Sequence, residues 1–266
     1  MSPRGAPSNN SHTEAARYSR RSILRSEWMY GHGFQAPGGI AMVESFCQRL
    51  QLRPGMRVLD VGSGLGAADF HLAARYQAEV LGVDSSPVMV EISTERASAK
   101  GVRGVSFLHG DVRSVPLDAA FDLVWTRDCV LYIPAGEQRS LWERLGSVLV
   151  PNGQLLVTDF CRGEAPPSPE FTRHISECQY HLSTIGRYAR LLEEAGYRSV
   201  QSEDLTDDFL RFLRMELAHL ERDRSSFLQE FTEADYQHLS ERWIKKIQFC
   251  EHGELRWGLF LARRPG

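Results

Sequence analysis

The chain has 266 residues, of which 42% are hydrophobic and 24% charged, with a formal net charge of −3 and a pI near 6.3. This balance provides no broad basic field for a nucleic-acid backbone, and every apolar stretch falls well short of the roughly 20 residues that span a bilayer. The length allows one substantial core, so we expect one cytoplasmic domain with neither nucleic acid nor membrane as a partner.

The cysteine pattern bears on redox state and metal binding. The five cysteines form an odd number without C-x-x-C spacing. This pattern favours reduced thiols over a disulfide framework or a zinc site, and no metal is predicted.

The chain begins with two segments that differ from the rest. Residues 1–15 are small and polar without periodicity, which predicts a disordered tail. Residues 16–39 mix aromatic residues with arginines and end at a Pro-Gly-Gly breaker. We interpret this second segment as a short helix and loop that cover the site of a main domain over residues 40–266.

Five runs rich in β-branched residues then alternate with helical periodicity. They are RVLDVG, AEVLGVD, VSFLHGD, FDLVWTRD and GQLLVTDF. Alternating strands and helices predict a doubly wound parallel sheet whose ligands bind at the carboxyl ends of the strands. After Cys161 the pattern is mainly helical, with an insertion on the substrate side at about residues 165–185 and 207–248, before the closing strand ELRWGLFLARR.

The glycine-rich stretch LDVGSGLG predicts a strand that ends at Asp60 and turns through Gly62, Ser63 and Gly64 into a helix. Glycines let the backbone approach a ligand closely, which both dinucleotide and S-adenosylmethionine folds require. A carboxylate at Asp60 repels a pyrophosphate but suits the ammonium and sulfonium groups of S-adenosylmethionine. The stretch therefore predicts a site for this methyl donor and its product, S-adenosylhomocysteine.

Acids also end the next two predicted strands. Asp84 is expected to accept from ribose hydroxyls, a role that acids at this spacing also have in NAD enzymes. Asp111 and Val112 are expected to hold the adenine, and Ser85 is assigned to the donor site with them. Such acids are also typical of helix caps and turns, but three acids at three strand ends favour a methyl donor.

The fourth strand ends in TRDCVLYIP. Its Arg127 and Asp128 fall near the expected position of the methyl group, so Arg127 is assigned to the donor and Asp128 to a protonated amine. The structural alternative for Asp128 is a salt bridge with Arg127 or a helix cap. Tyr132 is a catalytic candidate, although packing explains a tyrosine at this position equally well.

Together these motifs resemble the phosphoethanolamine N-methyltransferases, S-adenosylmethionine-dependent enzymes that methylate phosphobases on the way to phosphocholine. The matching stretches, from about Tyr18 to Arg264, are VLDVGSGLG, GVD, RDCVLYI, TDFC and RWGLFLA. The resemblance implies an α/β class I methyltransferase: a Rossmann-like, mostly parallel seven-stranded sheet with an N-terminal helical cover and a C-terminal helical insertion. It also implies a small-molecule acceptor; we expect a monomer or weak homo-oligomer.

The resemblance assigns roles to single residues. Tyr18 matches a tyrosine that closes the family's site and takes part in catalysis, and Asp128 matches the acid that meets the amine. Tyr180 and Lys246 match positions that hold the substrate phosphate. The matches to donor positions are Gly62, Asp84, Asp111 and Val112, with Asp60 beside them.

Four positions depart from the family pattern. Tyr132 stands in place of a histidine, and its free pKa near 10 makes it the poorer proton acceptor near neutrality. Phe160 and His174 replace phosphate-site tyrosines, while Cys178 replaces an arginine and so removes a charge-assisted bidentate contact. We therefore predict N-methylation of a small amine related to, but not identical with, phosphoethanolamine, or an anionic group held differently by Lys246 and His174.

Other interpretations stay open. The chain is alternatively an O-, C- or S-methyltransferase of a specialised metabolite, or a catalytically weak protein that holds the donor. Aromatic residues of the cover, Trp28 and Tyr30 among them, either attract a cationic product or, as we prefer for these two, pack the cover onto the sheet. The proton acceptor is left open among Asp128, Tyr18 with Tyr132, His174 and water.

Overall fold

The computed structural model describes residues 19–117 and 120–266, and within these ranges one seven-stranded sheet is flanked by helices. The strands are β1 (Arg57–Val61), β2 (Glu79–Asp84), β3 (Val105–His109), β4 (Phe121–Arg127), β5 (Leu149–Arg162), β6 (Arg198–Asp204) and β7 (Leu255–Arg263). Their order is β3-β2-β1-β4-β5-β7-β6, and β7 runs antiparallel to both of its neighbours. This is the mixed doubly wound sheet expected from the sequence.

Helices cover both faces of the sheet. They are α1 (Arg20–Tyr30), α2 (Gly39–Cys47), α3 (Ala67–Tyr76), α4 (Pro87–Lys100), α5 (Ala135–Val148), α6 (Pro169–Glu177), α7 (Ile185–Glu194), α8 (Thr206–Arg222), α9 (Arg224–Glu230) and α10 (Glu233–Glu251). A short 3-10 helix, Val130–Tyr132, follows β4. None of the helices in the described part of the chain is long and apolar enough to cross a membrane.

The central strands are buried on both faces, which explains their near-continuous apolar runs. On one face, Phe46 of α2 packs its ring edge against Trp125 of β4 and Trp257 of β7, with ring centroids 6.2 and 6.3 Å apart. On the other face, Tyr188 of α7 stacks on Phe260 of β7 with centroids 4.3 Å apart. Large aromatic rings thus fix the helices on both sides of β4, β5 and β7.

Helix α1 is attached to the domain by ion pairs. Glu27 receives two hydrogen bonds from Arg96 of α4, at 2.6 and 2.9 Å, and a third from the backbone N–H of Gly33 at 2.5 Å. Arg25 pairs with Asp235, which also closes the capping box at the start of α10. A bidentate, largely buried guanidinium–carboxylate pair fixes orientation better than an exposed pair does. The cover helix is therefore held between α4 and α10.

Several details were not foreseen. Strand β6 was not identified from the sequence, because it is an edge strand with mostly exposed side chains and has no buried face to produce alternation. Strand β5 begins at Leu149, earlier than the predicted GQLLVTDF. The predicted helical section 207–248 consists of three helices, α8 to α10. The predicted tail, residues 1–15, and the catalytic candidate Tyr18 lie outside the described residues.

Candidate active site

The turn between β1 and α3 is built from glycines with positive φ. Gly62 has φ 75° and Gly64 has φ 54°, values that side chains other than glycine rarely adopt. A Cβ added to Gly62 would lie 2.5 Å from the Sγ of Cys129, so a larger residue cannot fit there. Ser63 lies between the two glycines, and its hydroxyl oxygen is buried without a hydrogen-bond partner among the described residues.

The side chain of Asp84, at the end of β2, holds this turn by hydrogen bonds. Its carboxylate accepts from the backbone N–H of Gly64 at 2.9 Å and of Ser86 at 2.8 Å. Burial raises the pKa of Asp84, and these two hydrogen bonds oppose the rise. A carboxylate has about four lone-pair sites, so Asp84 keeps capacity to accept from a ligand hydroxyl. Ser85, the next residue, is exposed beside it.

Asp60 lies inside the sheet, only 4% exposed, and faces a second acid that the sequence analysis missed. Asp69, in the first turn of α3, is fully buried, and neither of its carboxylate oxygens has a hydrogen-bond partner among the described residues. Burial and the neighbouring Asp69 raise the pKa of Asp60, while Arg127 opposes the rise. Asp60 and Asp69 thus form a buried pair of acids, in which the ionised form of Asp60 is disfavoured.

Asp111 and Val112 follow β3 at the same edge of the sheet. Arg113 donates to both carboxylate oxygens of Asp111, from Nε to Oδ1 at 2.9 Å and from Nη2 to Oδ2 at 2.5 Å, and these hydrogen bonds lower the pKa of that carboxyl. Val112 is buried beside it. The acid is therefore charged but already paired with an arginine that the sequence analysis did not consider.

Asp128 is the first residue after β4 and has the left-handed φ of 52°. Its Oδ1 accepts from the indole N–H of Trp257 at 2.7 Å and from Thr158 Oγ1 at 3.3 Å. Its Oδ2 is buried and has no hydrogen-bond partner among residues 19–117 and 120–266. Burial raises the pKa of Asp128, and the nearby Arg127 opposes this rise. One carboxylate oxygen thus remains available to a ligand donor.

Arg127, which has Asp128 and Asp60 as electrostatic neighbours, is hydrogen-bonded to the cover loop. Its Nη2 donates to the backbone carbonyl of Pro37 at 2.7 Å, and its Nε is buried without a hydrogen-bond partner in the described ranges. Gly33, in the same loop, approaches α3 so closely that a Cβ there would lie 2.7 Å from the Cβ of Ala67. The cover loop therefore lies against the glycine turn.

Aromatic rings from distant elements meet beyond Asp128. Tyr132 ends the 3-10 helix and packs edge-on against Tyr180, with ring centroids 5.5 Å apart. Tyr180 also contacts Phe160 of β5 at 6.1 Å and His174 of α6 at 6.2 Å. Cys178 Sγ lies 3.8 Å from Nε2 of His174. Burial lowers the pKa of His174 to about 4, helped by nearby cations, so this imidazole is neutral at pH 7.

Lys246 of α10 lies in the same pocket with only 1% of its surface exposed. Its ammonium donates to the hydroxyl of Tyr30 at 3.2 Å and lies over the rings of Trp243, Phe160 and Tyr30 at 4.7, 5.3 and 5.9 Å. Burial and the neighbouring Arg242 lower the pKa of Lys246 to about 7. The ring faces partly replace water around a cation that has lost much of its hydration.

The candidate donor and acceptor residues lie at one edge of the sheet. Comparison with known proteins shows which family has this fold. A family model described as "Methyltransferase domain" matches residues 52–196, more than half of the chain. The chain belongs to this methyltransferase-domain family.

Individual relatives give a more specific comparison than the family model does. Phosphoethanolamine N-methyltransferase 1 of Triticum aestivum is 36% identical over 93% of this chain and 49% of its own length. Phosphoethanolamine N-methyltransferase of Plasmodium falciparum is 28% identical over 97% of both chains. The structure of Haemonchus contortus phosphoethanolamine N-methyltransferase 2 with phosphomonomethylethanolamine and S-adenosylhomocysteine has a TM-score of 0.93 at 27% identity, over 98% of this chain and 61% of that one. The recognised family resemblance and the class I fold are confirmed, although the chain spans about half the length of its plant relatives.

The structure brings most of the predicted site residues of this methyltransferase-domain protein together. The donor candidates line the edge formed by β1 to β4, and the acceptor candidates meet around Tyr180 and Lys246. Of the aromatic cover residues, Trp28 stacks on His219 with ring centroids 4.5 Å apart. The hydroxyl of Tyr30, in contrast, accepts a hydrogen bond from Lys246. Tyr30 is therefore more than the packing residue that we preferred.

Two neighbours of Lys246 were missed, although the sequence carried a signal for them. Arg242 and Trp243 precede Lys246 by four and three residues on one helix, the spacing that places side chains on one face. Trp257 lies in the quoted motif RWGLFLA, but its pairing with Asp128 spans 129 positions of sequence and has no local signature.

Proposed function

We propose that this chain transfers a methyl group from S-adenosylmethionine to the nitrogen of a small amine. The donor would lie along the edge formed by Asp60, Gly62, Asp84 and Asp111, with Arg127 closing the methionine end together with the cover loop. The acceptor would lie between Asp128 and Lys246. The names of the relatives, which are N-methyltransferases of a phosphorylated amine, support this choice.

The observation that carries the proposal is the buried Oδ2 of Asp128, which has no hydrogen-bond partner in the part of the chain that the structure describes. A buried carboxylate oxygen without a partner is costly unless a ligand donor satisfies it. Trp257 and Thr158 occupy the other oxygen and so fix the direction of the free one. An ammonium or amine N–H is the donor that suits this position, whereas a carbon acceptor offers none.

The reaction needs orientation more than activation. The amine would first give its proton to an acceptor, for which the candidates are Asp128, Tyr18 with Tyr132, His174 and water. Its lone pair would then attack the sulfonium-bound methyl carbon as the carbon–sulfur bond breaks. S-adenosylhomocysteine leaves as a neutral thioether, and the product ammonium releases a proton. Holding the nitrogen in line about 3 Å from the methyl supplies most of the rate enhancement available to the protein. Asp128 is our candidate for positioning the amine, and Tyr18 and Tyr132 remain candidates in the same step.

The acceptor is proposed to differ from phosphoethanolamine in affinity or identity, because Phe160, His174 and Cys178 replace hydrogen-bonding groups of the family. Thiol chemistry gains no support, since burial raises the pKa values of Cys129 and Cys161 well above those of free thiols. A thiol so protonated at neutral pH is a weak nucleophile. The thiols of Cys129 and Cys161 therefore give no support to a thiol-based role of the protein in the transfer.

A methyl-transfer assay tests the proposal directly. Labelled S-adenosylmethionine is offered with phosphoethanolamine, ethanolamine and a panel of amino acids, and product mass and rate are both measured. We expect methylated amines from the wild type and none from a mock preparation that lacks the protein, which controls for contaminating enzymes. Donor binding without turnover on the whole panel would instead identify a donor-binding protein, and a product methylated only on oxygen, carbon or sulfur would overturn the amine assignment.

A further inference from the structure

Within residues 19–117 and 120–266, the hydrogen bond and the ring contacts of Lys246 are all with uncharged groups. The hydrogen bond goes to the hydroxyl of Tyr30, and the nearest of three rings is that of Trp243, whose centroid lies 4.7 Å from the ammonium. Neither a phenol nor a ring face carries a full negative charge. An ammonium in such surroundings stays charged only with help from a counter-charge beyond its direct contacts.

Glu216 of α8 is connected to Lys246 through one of these rings. Its Oε2 accepts a hydrogen bond from the indole Nε1 of Trp243 at 2.8 Å. Trp243 precedes Lys246 by three residues on α10, a spacing that places both side chains on one helix face. The carboxylate thus lies at the N–H edge of the indole, while the ammonium lies over its face. A negative charge at that edge increases the electron density of the ring and strengthens its attraction for a cation.

The carboxylate of Glu216 does more than satisfy an indole N–H. The Nε1 of Trp142, a fully buried ring on α5, has no hydrogen-bond partner in the described ranges, so this fold tolerates an unpaired indole. Glu251, an exposed acid on α10, pairs with Arg214 of α8. Glu216 is instead half-buried, and burial raises its pKa to about 7. Burial of an acid is a cost that a nearby cation offsets.

The titratable groups around Lys246 come from five parts of the fold. Burial and Arg242 lower the pKa of Lys246 to about 7, and Glu216 has the largest opposing effect on that pKa. Glu216 is also the acid that shares a ring with the lysine. These groups include Tyr30 of α1, His174 and Cys178 at the end of α6, Glu216 of α8, Arg242 and Cys250 of α10, and Asp128 after β4.

We propose that Glu216 is a positioning residue that acts through the indole of Trp243 and keeps Lys246 protonated over that ring. This inference rests on the proposed function, because that proposal assigns Lys246 to the acceptor site. It adds that the charge of the acceptor site is controlled from α8, by a carboxylate that acts on Lys246 across the indole. Without the acid, the pocket would keep its shape and carry less positive charge at neutral pH.

Nuclear magnetic resonance tests this link without any substrate. The chain contains three lysines, Lys100, Lys245 and Lys246, so isotope-labelled lysine gives three side-chain signals, and Lys246→Met identifies the third. The pH midpoint of that signal is measured in the wild type and in Glu216→Gln, whose amide oxygen still accepts from the indole. The control is Glu221→Gln, which removes the same charge from an exposed position of α8.

We expect the midpoint of Lys246 to fall by about one pH unit in Glu216→Gln, the effect typical of losing one nearby opposite charge. Glu221→Gln should keep the wild-type midpoint. In a Trp243→Phe background, Glu216→Gln should lower the midpoint by less than half as much, because the N–H that holds the carboxylate at the ring is gone.

Kinetics then show whether the link reaches the acceptor. At pH 7, the ratio of the KM of phosphoethanolamine to that of ethanolamine should rise about fivefold in Glu216→Gln, because the charged fraction of Lys246 falls from about one half to about one tenth. The kcat should stay within about twofold of wild type. Compared at the same pH, variant and wild type should converge below about pH 5.5, where Lys246 is mostly charged in both.

Three outcomes would overturn the inference. They are an unchanged midpoint in Glu216→Gln, an equal fall in the Trp243→Phe background, and a KM ratio that is raised equally at every pH, which indicates a merely structural role. If no amine is methylated, the proposed function fails, while the resonance titration still decides whether Glu216 controls Lys246. A melting curve for each variant shows that the fold is intact.

Discussion

The donor half and the acceptor half of the site are built in different ways. The proposed donor half uses backbone N–H groups, glycines and acids at the carboxyl ends of strands β1 to β3, such as Gly62 and Asp84, whereas Asp128 after β4 belongs to the acceptor half. The acceptor half uses side chains from α1, α6, α10 and β5, whose rings and cations meet only in the folded chain. In the proposed site, strand ends therefore determine where the donor binds, while helix packing determines which acceptor binds.

This difference has a consequence for specificity. A site made of main chain changes little when single side chains change, whereas a site made of side chains can be altered one residue at a time. The departures from the family pattern all fall in the acceptor half, at Tyr132, Phe160, His174 and Cys178, and the donor motif keeps its glycines and acids. A substitution in one half should therefore leave the other half unaffected, and the largest loss is expected at Asp128.

Asp128→Asn should damage the acceptor half most. Removing one partner of a buried charged contact typically costs about 2–5 kcal/mol, so kcat/KM should fall by about 30- to 1,000-fold or more. Steady-state kinetics measure this loss, and calorimetry should find donor affinity within about twofold of wild type. Asp122→Asn, at the opposite end of β4 where the acid pairs with Arg53, is the control. An equal loss of donor affinity in Asp128→Asn would contradict the division into halves.

Asp84→Ala should act on the donor half alone. It removes the acceptor of the Gly64 and Ser86 N–H groups and the expected ribose contact. Together these losses should weaken the free energy of donor binding by about 1.5–3 kcal/mol. The dissociation constant of S-adenosylhomocysteine, measured by calorimetry, should rise about 10- to 100-fold. With saturating donor, the KM ratio between acceptors should keep its wild-type value; a changed ratio would show that the halves are coupled.

The pH dependence of acceptor binding should reveal Lys246. Its pKa of about 7 means that the cation is present below pH 7 and is lost as the pH rises through 7. Between pH 7 and 9, the KM of phosphoethanolamine relative to that of ethanolamine should increase by up to about tenfold per pH unit, since one proton is involved. Using the ratio cancels the titration of the amine itself. Lys246→Met should give a flat ratio, and a flat ratio in the wild type would remove Lys246 from anion binding.

Tyr132→Phe should have the smallest effect. A phenol with a free pKa near 10 is a poor proton acceptor at neutral pH, and one neutral hydrogen bond contributes about 0.5–1.5 kcal/mol. We expect kcat to fall by about 2- to 10-fold. Tyr132→His should introduce a rise of kcat with pH centred near 6.5. A loss of about a thousandfold in Tyr132→Phe would instead identify Tyr132 as the proton acceptor.

The sequence predicted the donor half better than the acceptor half for a physical reason. A parallel strand that ends in an acid places that acid at a known edge, so Asp60, Asp84, Asp111 and Asp128 could be located from local patterns. The buried neighbour Asp69 could not, because a single acid in the first turn of a helix is typical of dipole stabilisation. The resemblance to the family supplied Tyr180 and Lys246, which no local pattern would have indicated.

Other features were beyond local reasoning. The position of Lys246 against three aromatic rings depends on which helices surround it, and the sequence shows only that Lys246 shares a helix face with Trp243. The sheet itself was foreseen except for β6, whose exposed side chains carry no strand signal. Patterns thus locate buried regular elements, while charge balance inside a pocket requires the packed structure.

Because Trp257 donates a hydrogen bond to Asp128, strand β7 affects both the geometry of the candidate site and the stage of synthesis at which the site is completed. Strand β7 enters the sheet between β5 and β6, although both of those precede it in the chain. A nascent polypeptide that ends before residue 257 has neither the indole donor nor the paired edge that holds β5 and β6. The proposed amine position is therefore completed only after β7 has been synthesised, so a product truncated before residue 257 should retain the glycine motif without a finished acceptor site.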